Sequence, residues 1–194
     1  MKNVTEYPVI VERSAIPSLL AGRGSRARVL ALSPLSKCQA DDVLWVKETC
    51  VGGKIPPGQK REYFSHIRRA EFVVFMDGWR KFRSGRDRKA KKLKGRPIPW
   101  VPAMHMPRWA SRITLKVVSV NIASLQSITP DQIVAEGQVV RFVGLYWRWC
   151  TPCRGIWLDP RRAYALVWNA TRTVPGERWE DNPLTAAIKF RHIR

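Results

Sequence analysis

The sequence predicts an α+β fold: a small mixed β-barrel flanked by two or three short helices. Three observations predict it. The chain has 194 residues, the length of one domain. Short stretches with period-two apolar alternation recur between turn signals, which marks strands. Two Pro-started helices stand among them, each opened by a capping residue.

Taken in order, Tyr7–Val11 reads as a short strand. Ser14 caps a helix through Leu19 and Leu20 that Gly22 closes, with Pro17 in its first turn. Arg26–Leu32 returns to extended structure and Pro34 ends it. The Asp41-Asp42 pair turns the chain into a strand over 43–49. Alternation places Trp45, Lys47 and Thr49 on one face and Leu44, Val46 and Glu48 on the other. Residues 51–61 read as turn material. Glu71–Met76 is a strand, and Asp77-Gly78 a turn.

Residues 79–96 hold ten Lys/Arg and one Asp in 18 positions, too charged to bury a face, and read as a flexible basic insertion. Arg112–Ile122 alternates as a long strand. Thr129, Pro130 and Gln132 form the start of a helix, with the spacing of a capping box, and Gly137 closes it. Asp159-Pro160 opens the next helix, with Ala163, Leu166 and Val167 on its apolar face. Ala186–Ile193 is the last strand.

The charge bounds the function. Lys and Arg number 35 against 15 Asp and Glu, a formal net charge of +20. A surplus of this size points to a polyanionic partner, with RNA or another nucleic acid first. No apolar run reaches the length of a membrane span, and the N-terminal residues carry no apolar signal core. The reading is therefore a cytoplasmic protein with no membrane partner. Four cysteines are too few for a secreted disulfide scaffold. Cys150 and Cys153 have the spacing of a redox or zinc pair, but with one such pair and Cys38 and Cys50 on either side of a strand, neither a metal nor a cofactor is expected.

Candidate contacts follow from the cations. The basic insertion offers Arg80, Lys81, Arg83, Arg86, Arg88, Lys89, Lys91, Lys92 and Lys94 to phosphates, with Trp79, Phe82 and Trp100 flanking it either to stack on bases or to anchor its ends. Arg23, Ser25, Arg26 and Arg28 form a second cluster after a helix end. Arg108 and Arg112 are further candidates: one of them, with Lys47 or Glu48, lines the barrel mouth or forms a structural ion pair. His105 with Ser111 and Glu136 lacks the spacing of a hydrolytic set, so a packed or turn-stabilising histidine is expected.

Four segments together resemble the ASCH domain of the PUA-like superfamily, in the form common in phage and prophage genomes. They are Leu19-Leu20-Ala21-Gly22-Arg23; Asp42-Val43-Leu44-Trp45-Val46-Lys47-Glu48-Thr49; Met104 to Leu115 (MHMPRWASRITL), leading into Leu125-Gln126-Ser127-Ile128 and Ala135-Glu136-Gly137; and Trp179-Glu180-Asp181-Asn182-Pro183. The resemblance spans nearly the whole chain. It implies a PUA-like barrel related to RNA-binding and RNA-modifying modules. Some of its members are enzymes, among them an N4-acetylcytidine amidohydrolase and a ribonuclease.

The amidohydrolase motif is G-R-K-T-x-T, with a Glu downstream. Here it is Gly22-Arg23-Gly24-Ser25-Arg26-Ala27. The lysine position is Gly24 and the second threonine is Ala27, so the titratable amine and one hydroxyl are missing. Glu136 stands where the downstream acid would be, and Lys47 and Lys116 are the strand lysines that could replace the lost one. The expectation is an RNA-binding module without the amidohydrolase activity. The alternatives are a ribonuclease or modified-nucleoside hydrolase, with Glu136 and Lys47 as its candidate catalytic groups, and a phage accessory protein that acts on a host protein partner.

Overall fold

The computed structural model describes residues 4–11, 13–22, 24–55, 62–85, 87–89, 98–137, 139–141, 147–149 and 156–193. Its strands are β1 (Glu6–Ile10), β2 (Arg26–Leu30), β3 (Val43–Lys47), β4 (Cys50–Lys54), β5 (Glu62–Phe64), β6 (Phe72–Phe75), β7 (Trp79–Phe82), β8 (Arg88–Lys89), β9 (Thr114–Ser124), β10 (Val139–Arg141), β11 (Trp147–Trp149) and β12 (Leu184–Ile193). The helices are α1 (Ile16–Leu20), α2 (Pro130–Glu136) and α3 (Pro160–Ala170), joined by short 3-10 turns.

One five-stranded sheet has the order β1-β3-β9-β12-β2 and another has β5-β4-β6-β7-β8, while β10 pairs with β11 alone. The chain is thus mixed α+β, as its alternation predicts. The described strands close no barrel, which corrects that expectation. Alternation on short strands specifies sheets with a buried face, and it carries no information about closure.

Internal packing divides the chain into two compact units: Met1–Tyr7, Glu12–Leu44 and Leu115–Arg194 form the first, and Pro8–Val11 with Trp45–Thr114 the second. The core of the first unit joins the turn before α2 to the inner faces of both later helices, through Leu125, Ile128, Ile133, Ala163, Tyr164, Val167 and Trp168. The helix starts are as the sequence predicts: Thr129 accepts from the Gln132 amide and Asp159 from the Arg161 amide. Gly137 closes α2 at φ +76, where a side chain would be strained. Leu166, expected on the apolar face of α3, is 47% exposed instead. α1 starts at Ile16 with Ala15 at its N-cap and no side-chain cap, one residue later than Ser14 predicts.

In the second unit, β6 (FVVF) is buried on both faces. Val73 and Phe75 face a cluster with Cys50, Ile67, Val101, Met106 and Ala110, while Phe72 and Val74 face Val51. Two expectations fail here. Part of the segment read as turn material is β4, which pairs with β6 in register Cys50↔Phe75 to Gly53↔Phe72. The start of the basic insertion is not a loop, because β7 pairs with β6 and β8 with β7. Gly52 and Gly53 signal a turn locally, yet close packing demands them. A Cβ on Gly53 would lie 2.4 Å from the Phe72 ring, and one on Gly52 3.1 Å from both Ala70 Cβ and the Phe64 carbonyl. No helix of the described residues is long and apolar enough to cross a membrane.

Candidate nucleic-acid interface

Alternation along β2 and β12 determines where the side chains of residues 26–30 lie in the first unit. The register pairs Leu30 with Thr185, Arg28 with Ala187 and Arg26 with Lys189, so these residues share one face. α2 packs over part of that face and places Glu136 and Gln132 above Arg28. The Arg28 guanidinium donates to Glu136 Oε1 at 3.0 Å, Thr185 Oγ1 at 3.1 Å and Gln132 Oε1 at 3.1 Å. The Tyr164 hydroxyl donates to Glu136 Oε2 at 2.6 Å, and the Thr185 hydroxyl to the Ala123 carbonyl at 3.0 Å. The side chains of Arg28 and Glu136 are only 2% and 4% exposed.

Burial pushes the Glu136 carboxyl above the ordinary carboxylate range, against the downward pull of Arg28 and the Tyr164 hydroxyl. Burial also pushes the Tyr164 phenol well up, and Glu136 beside it adds to that shift. Each donor of this set that the geometry places is matched to an acceptor, so the cluster is a closed intramolecular network. Gln132 shows the same economy: the capping-box spacing would send its side chain back to Thr129, and Arg28 takes it instead. Gly24 is buried, and a Cβ there would meet Leu19 Cδ2 at 3.1 Å. Ser25 uses its backbone to tie α2 and β12 together, donating to the Ala135 carbonyl and accepting from the Phe190 amide.

The second unit holds an open groove of about 810 Å³, lined by Lys47, Ser65, His66, Arg68, Arg69, Trp100 and His105 among others. None of its lining residues is acidic. Three segments build it. β3 alternates as the sequence predicts, with Leu44 and Val46 buried, and Lys47 lies at the groove. The 3-10 turn Ile67–Arg69 is pinned by buried Ile67, so Arg68 and Arg69 project outward. It can sit this close to β4 because Gly52 has no side chain. The stretch 100–107 is fastened by paired backbone bonds between Val101 and Cys50 and by buried Met106. Across the groove, Lys47 Nζ donates to the Met104 carbonyl, which leaves two of its three N–H donors for a ligand. Among the described residues, neither Arg68 nor Arg69 forms an ion pair.

The other expected contacts fall elsewhere. Arg112 is buried, bound to Glu48 through two bonds of 2.9 and 2.7 Å and to Asp77 at 2.8 Å, with Phe75 stacked below it at 4.1 Å. Arg80 is 6% exposed. Arg83 donates to the carbonyls of Ala70 and Arg68 and stacks on Trp109, bracing the turn that carries Arg68. Lys81 pairs with Asp87 at 3.7 Å, Arg88 lies over Phe82, and Lys89 is exposed. Arg108 lies over Trp45. In the first unit, Lys116 pairs with Asp41 at 2.7 Å. Ser111 donates to the carbonyls of Val46 and Ile113, which commits its hydroxyl to structure. Trp79 and Phe82 pack on the two core clusters and so anchor the hairpin. Trp100 packs on one of these clusters and lines the groove as well.

Arg23, Arg86, Lys91, Lys92, Lys94, Cys150 and Cys153 lie outside the described residues. Cys38 and Cys50 are buried free thiols, and the described residues hold no cluster of three metal-ligating side chains.

Arg68, Arg69 and His66 are the residues that sequence reasoning missed. They sit in a stretch without apolar periodicity, and the Arg68-Arg69 doublet was their only signal. A second groove, of about 510 Å³ beside α3, sets Arg161 and Arg162 against Asp159 and Glu180 between Trp157 and Trp179, and so balances its own charge. No family model, curated protein or solved structure matches the chain.

Proposed function

We propose that this chain is an RNA-binding module of the ASCH, PUA-like kind that lacks the family's amidohydrolase activity. One observation carries the binding reading: a groove without acids brings three cations, two imidazoles and an indole together, in a chain of net charge +20. Lys47, Arg68 and Arg69 supply phosphate contacts, and Trp100 supplies a ring for an unstacked base. Stacking on a single ring favours single strands over duplexes, whose bases already stack on each other. Two features support the loss of amidohydrolase chemistry: no lysine at Gly24, and Glu136 held in a closed network with Arg28, Gln132 and Tyr164.

The test is the affinity of a labelled single-stranded RNA for the protein and for a Lys47→Gln/Arg68→Gln/Arg69→Gln variant across a salt series. Loss of three single-strand phosphate contacts lowers the slope of log affinity against log salt by about 2. An unchanged slope rejects the groove as the interface.

Cleavage of the bound RNA is a second reading, favoured by His66 and His105 lining the same groove. Two imidazoles could serve as base and acid. RNA that stays intact on prolonged incubation with the protein refutes it.

A further inference from the structure

The shared face of β2 and β12 changes character along its length. At Leu30, Arg28, Thr185 and Ala187 it is covered by the later helices, and Thr185 and Ala187 are buried. Past the end of α2 the same face continues with Arg26, Lys189 and Arg191. Lys189 and Arg191 are exposed and Arg26 is half-buried. The register sets Arg26 directly opposite Lys189. Like charges directly opposed across a ladder destabilise a sheet, and Arg191, two residues on, adds a third charge to the same face.

Among the described residues, none of the three forms an ion pair. Arg26 acts on Glu136 at longer range, and Arg28 already neutralises that carboxylate at 3.0 Å. A sheet keeps such a row at a cost in stability, and an anionic ligand recovers that cost. Lys189 and Arg191 are two residues apart, roughly 7 Å along the strand, and the partner across the ladder is about 5 Å away. Point charges grouped at this spacing suit a ligand that carries several anionic groups close together, as successive phosphates do.

We propose that Arg26, Lys189 and Arg191 form a second phosphate-binding surface, in the first unit, for the phosphodiester backbone of a nucleic-acid strand. The proposal rests on the RNA-binding reading and adds to it a site that the groove residues do not include. The surface contributes affinity without base selectivity, because it carries cations and no stacking ring.

The experiment compares the full chain with an Arg26→Gln/Lys189→Gln/Arg191→Gln variant, using a labelled single-stranded RNA of about 20 nucleotides. The groove variant described above serves as a parallel arm. Neutralising three contacts lowers the salt slope by about 2, so between about 50 and 200 mM salt the wild type loses roughly twentyfold more affinity than the variant. Thermal unfolding without RNA supplies the second readout: relief of the like-charge pair leaves the melting temperature unchanged or raised. A melting temperature kept or raised together with the lowered slope supports the proposal.

Three outcomes overturn it. If the slope stays at the wild-type value while the groove variant lowers it, the surface binds nothing and the RNA-binding reading stands. If the variant instead self-associates in sedimentation with its RNA slope unchanged, the charges only guard the exposed edge of β2 against strand pairing. If the wild type binds no RNA at low salt, both readings fall together, and the groove arm identifies that case.

Discussion

Glu136→Ala is expected to be among the most damaging single substitutions in the first unit. Arg28 and Glu136 are almost fully buried and 3.0 Å apart. Removing one member of such a pair leaves the other charge uncompensated, at a cost of about 3–5 kcal/mol. The same substitution strips the Tyr164 hydroxyl of its acceptor. Tyr164→Phe removes only that 2.6 Å bond to a carboxylate and is expected to cost about 1.5–3 kcal/mol. Arg28→Met should match Glu136→Ala, because it orphans the carboxylate. The double variant Arg28→Met/Glu136→Leu should be milder than either single variant, because no buried charge is left without a partner. The assay is urea unfolding followed by far-UV circular dichroism and tryptophan fluorescence, with midpoints compared at constant m-value. Single variants within about 0.5 kcal/mol of wild type, or costs that add in the double variant, would refute the closed network.

Three further predictions concern the second unit and the buried thiols. Burial raises the Asp77 pKa, but the bonds from the Trp79 amide and from Arg112 outweigh it, so this carboxyl sits below the ordinary 3.8 of aspartate. A lowered folded value gives stability that is present above that ordinary value and is lost as the pH falls through the folded one. Acid unfolding monitored below pH 3.8 should therefore be shallower in Asp77→Asn than in wild type, and an equal slope would remove Asp77 from the account. Burial pushes the thiol of Cys38 up to about 11 and that of Cys50 up to about 12. In a Cys150→Ser/Cys153→Ser variant, a disulfide reagent at neutral pH should find no reactive thiol until denaturant is added. Gly53→Ala should cost about 1–3 kcal/mol in urea unfolding, because its Cβ would lie 2.4 Å from the Phe72 ring.

Where local chemistry decides, the sequence was readable. Thr129-Pro130 and Asp159-Pro160 mark the starts of α2 and α3, since caps and N1 prolines act within one turn. Alternation located β3 and most of β9 and β12. It failed where tertiary contacts override local signals. The Gly-Gly of β4 reads as a turn, yet the strand needs both positions bare so that the Phe72 ring and the 3-10 turn can approach. Residues 79–82 read as loop, yet Trp79 and Phe82 reach opposite core clusters from one short strand. The site was legible only in part. Lys47, singled out as a strand lysine that could be catalytic, lies at the groove. Arg28 was read as a ligand contact, and only the structure reveals its buried carboxylate partner 108 residues away; for Arg112 a structural ion pair stood beside the binding role, and the structure shows it, to Glu48, 64 residues away. Arg68 and Arg69 owe their position to buried Ile67 and to Gly52, neither of which marks them in sequence.

The most direct measurement is the salt dependence of single-stranded RNA binding by the wild type and by Lys47→Gln/Arg68→Gln/Arg69→Gln. A slope lowered by about 2, with folding intact by circular dichroism, is the predicted result. A wild type that binds no RNA at low ionic strength, or a variant that binds with the wild-type slope, would contradict the assignment of the groove.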